Sequence, residues 1–334
     1  GWWHITGNPQ DYSSFAKAMA WVSIPTPFLG YAILLFFLIS GFCIHYPNVS
    51  LNSRPCWKTY CKRRFWRIYP TYLIAILLTS LISYYCHTKW SDNTWSLERI
   101  FRVVTLSQNY PPRNGQFLSN PSLWTIPLEV EFYALYPIAF FFLNKFGFIR
   151  LLFFSLLISG ITTLLTKPEN SWISFTSLFL WPSSLLGAYT GHLYKKNKFT
   201  NFKKSIIYPL LVVFLTFGLV SRLHNWDSWL QYSCWIGFYL FFFIACLRNE
   251  ERFQSKQGLI LKSIAWLGKI SFSLYLIHFP LFKILGLIHR ESFGEKPANF
   301  LVTLLYLIPV ILLAWLFFKY IENPILKWSK KENL

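Results

Sequence analysis

Two glutamates at the edge of an apolar run are the first residues in this sequence that could do chemistry. The stretch SLWTIPLEVEFYALYP, residues 122–137, carries Glu129 and Glu131 and leads into a long apolar segment. A carboxylate at membrane depth is costly and marks a functional site, whereas one near the membrane surface costs little. The two side chains project from different faces of a helix. We expect Glu129 to be the one that faces inward.

Three arginines form a second candidate site. The stretch KRRFWRIYP, residues 62–70, contains Arg63, Arg64 and Arg67, and the last two share a helix face because they are three residues apart. Guanidinium groups bind phosphates through paired hydrogen bonds, which suits a nucleotide or coenzyme A. The competing interpretation is an anchor at the lipid headgroups, and the spacing by itself favours that anchor.

Histidines supply the third kind of reactive group. His278 lies within ISFSLYLIHFP, residues 270–280. It could be a general base, a substrate ligand or a polar group bonded to a neighbouring helix. His4 follows two tryptophans, and for that position an aromatic belt at the membrane surface is the simpler interpretation.

No metal ion and no nucleic acid is expected as a partner. The six cysteines show neither a CxxC pair nor the spacing of metal ligands. The net charge of +19 is found in some nucleic-acid-binding proteins. Here, however, the basic residues lie in short loops between apolar blocks, which is typical of membrane topology signals.

The elements that must position these residues are membrane helices. The chain has 334 residues, of which 54% are hydrophobic and 13% charged, whereas a soluble domain carries about 25% charged residues. A span needs about 20 apolar residues. We therefore predict an all-α, polytopic transmembrane helical bundle, a single membrane domain over residues 1–334, with about nine spans: 28–46, 68–86, 125–143, 149–166, 172–193, 205–221, 229–247, 264–288 and 299–320.

The distribution of charge predicts the orientation of the chain. If the loop 47–67 is cytoplasmic, 22 of the 32 Lys and Arg residues fall on the cytoplasmic side and nine outside, with Lys283 inside a span. This asymmetry follows the positive-inside rule. It places the C-terminus in the cytoplasm and the first residues outside. If the natural N-terminus is cytoplasmic, we expect one more helix, the tenth of the complete protein, to precede residue 1.

Taken together, the motifs resemble those of a known family. Five of them occur in order along the chain: LLFFLISGF (34–42), RRFWRIYPTYL (63–73), LWTIPLEVEFYALYP (123–137), FSLYLIHFP (272–280) and IENP (321–324). This ordered set resembles acyltransferase family 3, whose members are membrane proteins that O-acylate sugars and polysaccharides. The resemblance covers positions 30 to 324. Thr125 and Pro127 stand where the family usually has serines.

The resemblance implies a role for each candidate residue. Arg64 and Arg67 match the family's Arg-x-x-Arg pair, which handles the acyl-CoA donor. Glu129 matches the family's glutamate and His278 its late histidine, and His4 is the counterpart of the first-helix histidine that is the family's favoured base. Glu129 would then orient or support a histidine base. The resulting assignment is catalysis by His4, Glu129 and His278, acyl-CoA binding by Arg63, Arg64 and Arg67, and a substrate pocket containing Trp124, Tyr133 and Tyr275.

The resemblance also implies a function. The chain would move an acyl group, with acetyl expected, from cytosolic acetyl-CoA to a hydroxyl of a glycan or lipid-linked sugar. The acceptor would be O-antigen, another envelope polysaccharide, a nodulation-type oligosaccharide or a small sugar. The donor is a substrate, no cofactor is permanently bound, and the expected location is the lipid bilayer of a bacterial inner membrane. The alternative is a transporter or flippase whose path the same polar residues line, although the chain lacks the inverted repeat of many transporters.

Overall fold

The protein is built from α-helices. A computed structural model describes residues 26–49, 55–112, 118–166, 168–196, 198, 203–255, 258–294 and 300–331. The structure is 88% helical, and none of these residues lies in a strand. The prediction of an all-α, polytopic helical bundle is confirmed. His4 lies outside the described residues.

Twelve α-helices follow one another along the described part of the chain. Short 3-10 turns precede some of them, among them Pro121–Trp124, and a π-helical turn, Phe318–Glu322, leads into the last. The helices are α1 (Ile33–His45), α2 (Trp57–Trp90), α3 (Leu97–Val104), α4 (Thr125–Phe146), α5 (Phe148–Leu165), α6 (Ser177–Lys195), α7 (Lys204–Leu223), α8 (Ser228–Arg248), α9 (Glu250–Ser255), α10 (Leu259–Phe293), α11 (Phe300–Phe317) and α12 (Asn323–Lys331).

Eight helical segments in the described ranges are long and apolar enough to cross a membrane. They include α1, α2, α4, α5, α7, α8 and α10, and the last is Leu301–Lys331. Nine spans were expected, and the one that is not among these eight is the predicted span 172–193. That segment does contain a helix, α6, but Ser183, Ser184, Thr190 and other small or polar residues lower its hydropathy. Most of these residues are buried against other helices.

The chain divides into two compact units. The first unit contains Cys61–Trp124 and Lys262–Leu334, and the second contains Phe28–Tyr60 and Thr125–Leu261. The first therefore holds most of α2, α3, most of α10, α11 and α12. The second holds α1 and α4 to α9. The single domain expected over the whole chain stays a prediction.

In the second unit, α1 and α6 touch backbone to backbone through glycines. A Cβ atom added at Gly41 would lie 1.9 Å from the carbonyl oxygen of Ser184, and one added at Gly187 would lie 1.9 Å from that of Leu38. Small residues allow this close approach between membrane helices. At the end of α6, the Tyr194 hydroxyl donates to Glu250 at 2.6 Å. That bond to a carboxylate raises the pKa of Tyr194 to about 12.

In the first unit, one buried tyrosine joins α2 to the segment that precedes α4. The Tyr72 hydroxyl donates to the carbonyl oxygen of Val103 in α3 at 2.7 Å. The Gln108 amide donates to the Tyr72 oxygen at 3.2 Å and to the carbonyl oxygen of Leu123 at 3.0 Å. Tyr72 and Gln108 are fully buried. The backbone just before Trp124 is therefore held by bonds that the apolar interior makes strong.

We predict that Gly187→Ala destabilises the protein although alanine favours helices. Its methyl group has no room beside the Leu38 backbone, and overpacking costs about 1–3 kcal/mol. The thermal midpoint of the purified protein in detergent measures the effect. Gly268→Ala in α10 is the matched control, because no atom lies within 4 Å of its added Cβ. Equal midpoints for the two variants would contradict the described helix crossing.

Candidate active site

Glu129 lies in the interior of the second unit and is held there by a serine. Its side chain is 3% exposed, and its Oε1 accepts a hydrogen bond of 2.5 Å from the Ser40 hydroxyl. Ser40 belongs to the LLFFLISGF stretch and Glu129 to LWTIPLEVEFYALYP. Two sequence motifs that are far apart in the chain therefore meet at one buried carboxylate. Ser40 is a site residue that the sequence analysis missed.

Glu131 has a different environment, only two residues further on. It is less buried than Glu129, and its Oε2 accepts a hydrogen bond of 2.9 Å from the backbone N–H of Ser177. Ser177 is the first residue of α6, and its N–H has no partner within the helix. Glu131 thus caps α6, and its charge suits the positive end of the helix dipole. The expectation that Glu129 is the inward-facing glutamate agrees with this geometry.

The predicted pocket aromatics divide between the two units. Tyr133 is in the second unit and 7% exposed, and its carbonyl oxygen accepts from the Tyr60 hydroxyl at 3.1 Å. Trp124 is in the first unit, where its carbonyl oxygen accepts from the Asn109 amide at 2.7 Å. Both contacts fix the backbone at these positions. A role of the two rings in binding substrate stays a prediction.

His278 is oriented by the backbone of its own helix. Its Nδ1 lies 3.0 Å from the carbonyl oxygen of Leu274 and 2.9 Å from that of Tyr275. Carbonyl oxygens only accept, so these contacts assign the proton of a neutral imidazole to Nδ1. The lone pair is then on Nε2, the arrangement that a general base requires. The ring is partly exposed in the first unit.

Near His278, a hydrogen bond from a residue outside α10 satisfies one of the backbone carbonyl oxygens of that helix. Pro280 has no N–H, so the carbonyl oxygen of Leu276, four residues earlier, loses its partner within the helix. The fully buried Asn120 amide donates to this oxygen at 2.7 Å. The Ser122 hydroxyl donates to Asn120 Oδ1 at 2.6 Å, and the Tyr275 hydroxyl donates to the Ser122 carbonyl oxygen.

These contacts show what Tyr275 and Asn120 do in the fold. Together they bind the segment before Trp124 to the helix that carries His278. Tyr275 was predicted in the substrate pocket, and its ring also lies 6.0 Å from the imidazole of His278. Asn120 was not predicted. The proline four residues after a membrane carbonyl was the available signal, because such a carbonyl needs a donor from elsewhere.

The three predicted donor-binding arginines follow one another on α2 in the first unit. Arg63 and Arg67 are exposed, and Arg64 is partly buried. Arg67 is within electrostatic range of Glu322, the last residue of the π-helical turn. Glu322 is 6% exposed and accepts from the Ser273 hydroxyl. Such π turns are frequent at functional sites, and the IENP motif contains this glutamate.

In the second unit, the sequence analysis also missed the buried histidine His45. His45 is 1% exposed, and its Nδ1 lies 3.0 Å from the Tyr136 hydroxyl and its Nε2 3.4 Å from His192 Nδ1. The adjoining cavity, lined by His45, Tyr136 and Ser184 among others, has a volume of ≈ 10 Å³. That is room for about one water molecule and not for a substrate.

The predicted site residues therefore fall into two sets. The first unit contains Arg63, Arg64, Arg67, Trp124, Tyr275 and His278, and the second contains Glu129 and Tyr133. Within the ranges that the structure describes, no group of three or more His, Cys, Asp or Glu side chains is arranged to hold a metal ion.

Comparisons with known proteins place this geometry in context. The sequence profile of acyltransferase family 3, described as an acyltransferase domain, matches residues 2–319. O-acetyltransferase OatA of Staphylococcus aureus strains NCTC 8325, COL and MRSA252 is 26% identical over 323 residues. The match covers 87% of this chain and 52% of each relative, so the chain spans about half the length of the curated relatives it matches. No solved structure matches the chain.

We predict that Asn120→Asp destabilises the first unit although it hardly changes the side chain's size. A carboxylate in place of the amide removes the donor to the Leu276 oxygen, and an unsatisfied buried acceptor costs about 1–3 kcal/mol. Thermal unfolding of the purified protein in detergent measures the loss. Asn93→Asp, at an exposed loop position, makes the same chemical change without that partner. A shift of the same size in both variants would contradict the assigned role.

Proposed function

Because the chain belongs to acyltransferase family 3 and carries its acyltransferase domain, we propose that it is a membrane O-acetyltransferase. It takes an acetyl group from cytosolic acetyl-CoA and transfers it to a sugar hydroxyl of a surface polysaccharide. The observation that carries this proposal is the buried Ser40–Glu129 contact. A carboxylate inside a membrane protein is costly and is retained where function needs it.

The reaction needs one bond to form and one to break. The hydroxyl oxygen of the acceptor attacks the carbonyl carbon of the thioester, the new C–O bond forms, and the C–S bond to CoA breaks. The hydroxyl proton ends on the sulfur of the leaving thiolate, so atoms and charge balance. A general base that holds the proton in between speeds such a step by about 10²–10⁴-fold.

His278 has the geometry for that base. Its Nδ1 is engaged with carbonyl oxygens, so Nε2 can accept the hydroxyl proton and later return it. Glu129, fixed by Ser40, offers a hydrogen-bond acceptor in a dry environment, where such bonds are strong. It can accept a hydrogen bond from a hydroxyl group and so orient that group. The candidacy of His4 as a further base rests on the family motif.

The donor is assigned to the arginines of α2. Acetyl-CoA carries a diphosphate, and arginine binds phosphate through paired hydrogen bonds. The excess of Lys and Arg in the predicted cytoplasmic loops supports an orientation in which these arginines face the cytosol and the C-terminus is cytoplasmic. A bacterial inner membrane would give access to cytosolic donor on one side and to envelope glycan precursors on the other.

The proposed acceptor is a hydroxyl group of a glycan. The relatives are O-acetyltransferases by name, which favours acetyl as the group moved and a hydroxyl as its acceptor. O-antigen, another lipopolysaccharide or a lipid-linked sugar precursor would provide such hydroxyls. Mass spectrometry of surface glycans from cells with and without the complete gene would identify the acceptor.

We predict that Arg64→Ala with Arg67→Ala removes acetyl esters from the surface glycans, as deletion of the gene does. Loss of both guanidinium groups weakens donor binding at the diphosphate. The matched control is Lys203→Ala with Lys204→Ala, which removes two exposed cations at the start of α7 and should leave the esters in place. Comparable amounts of folded protein in the membrane are required for each variant.

Three results would contradict this proposal. Unchanged esters after deletion would exclude this protein as their source. Unchanged esters combined with altered export of the glycan would favour the transporter or flippase. Loss of esters in the lysine control as well would show a general effect of surface charge and would remove the specific role of the arginines.

A further inference from the structure

The short C-terminal helix α12 presents a buried face and a basic face. Ser329 on the helix and Glu322 just before it are buried, and their spacing puts them on the same side. Lys327, Trp328 and Lys331 are exposed. Lys327 and Lys331 are four residues apart and therefore neighbours on the helix surface. The nine residues of α12, NPILKWSKK, include three lysines and no carboxylate.

This basic face is joined to the arginine cluster by a pair of tryptophans. Trp328 packs edge to face on Trp66 of α2, with ring centroids 4.3 Å apart and an angle of 73° between the rings. Arg63 and Arg67 flank Trp66 on α2, and both are exposed. Trp328 is 45% exposed. All of these residues belong to the first unit. They form what we call the cationic surface: Arg63, Trp66, Arg67, Lys327, Trp328 and Lys331.

The carboxylate of Glu322 lies near this surface but does not cover it. Glu322 is within electrostatic range of Arg67, yet it is buried and accepts from the Ser273 hydroxyl beneath. Its charge can therefore attract Arg67 toward the protein. The lysines of α12 stand beyond it on the exposed side of the helix.

We propose that α12 completes the binding site of the CoA donor by holding its 3′-phosphate. CoA carries phosphate in two places, a diphosphate and a 3′-phosphate on the ribose, with an adenine ring beside them. The arginines of α2 take the diphosphate, the lysines of α12 take the 3′-phosphate, and the partly exposed Trp328 ring stacks on the adenine. The inference rests on the proposed function. It concerns a helix beyond the family match, which ends at residue 319.

The same chemistry could serve a second source of phosphate, the headgroups of anionic lipids. Lysines and a tryptophan on a short helix are also typical of a membrane surface. The juxtaposition with the arginine pair favours the soluble donor, because a lipid anchor needs no contact with Trp66. The two sources differ in one testable property, since only the donor has a 3′-phosphate that can be removed without other change.

The test compares binding of acetyl-CoA and 3′-dephospho-acetyl-CoA to the protein in nanodiscs of neutral phosphatidylcholine. For the wild type, loss of one charge-assisted phosphate contact should weaken binding about tenfold. For the variant Lys327→Gln, Lys330→Gln, Lys331→Gln, the ratio of the two dissociation constants should fall close to one. The control variant Lys203→Gln, Lys204→Gln, Lys262→Gln loses the same charge at other exposed positions and should keep the wild-type ratio.

Each outcome decides the question. A wild-type ratio that survives in the α12 variant, or falls equally in the control, overturns the inference. A separate measurement would identify lipid as the ligand. If the α12 variant keeps the wild-type ratio of dissociation constants but is the only variant to lose thermal stabilisation by phosphatidylglycerol, the lysines bind lipid and the inference is overturned. A Trp328→Ala variant, tested the same way, should weaken both ligands alike. Binding ratios do not depend on turnover, so the inference can stand or fall separately from glycan acetylation.

Discussion

The hydrogen bond from Ser40 to Glu129 is the interaction on which the second unit depends. A carboxylate without polar partners would not be tolerated at the depth where Glu129 lies. The serine must therefore reach it at 2.5 Å, and this brings α1 against α4. Further along, His45 of α1 meets Tyr136 of α4. From the first contact to the second, the residue numbers increase along both helices. Helices α1 and α4 therefore run parallel, and polar side chains fix their register.

The contacts that α1 and α4 make with α6 explain why α6 is less apolar than its neighbours. Helix α1 contacts α6 through Gly41 and Gly187, and Glu131 of α4 caps the N-terminus of α6 at Ser177. Three helices are thus fixed to one another by contacts that need glycine, serine and glutamate. These residues would be energetically costly on a helix that faces lipid, whereas a helix packed against protein can contain them.

In the first unit, a hydrogen bond that is lost within helix α10 is replaced by one from a residue outside the helix. Pro280 frees the Leu276 oxygen, and Asn120 satisfies it because a membrane interior offers no water. The repair fixes the segment before Trp124 to the helix of His278. In the same unit, Glu322 accepts a hydrogen bond from Ser273 and lies within electrostatic range of Arg67. Buried polar groups therefore stand where the predicted base and the predicted donor site are.

The sequence predicts the helical fold and several of the site residues. It does not predict which residues far apart in the chain contact each other. Apolar blocks and loop charges predict a helical membrane protein, and the inward position of Glu129 follows from helix geometry and the motif. Ser40 and Asn120 could not be assigned from spacing, because each acts on a residue far away in the chain. The segment 172–193 was predicted as a span because it is long and largely apolar, but the small and polar residues that α6 buries against other helices lower its hydropathy. His4 lies outside the described residues, and its role stays a prediction.

The most direct test of this account is a double-mutant cycle on Ser40→Ala and Glu129→Gln. Initial rates of acetyl transfer from radiolabelled acetyl-CoA to membrane glycans would be measured at equal amounts of folded protein. We expect Glu129→Gln to lower the rate by at least about 100-fold. We expect little further loss when Ser40→Ala is added, because the pair acts as a unit. Full activity of Glu129→Gln, or losses that simply multiply, would contradict the central role of this buried contact.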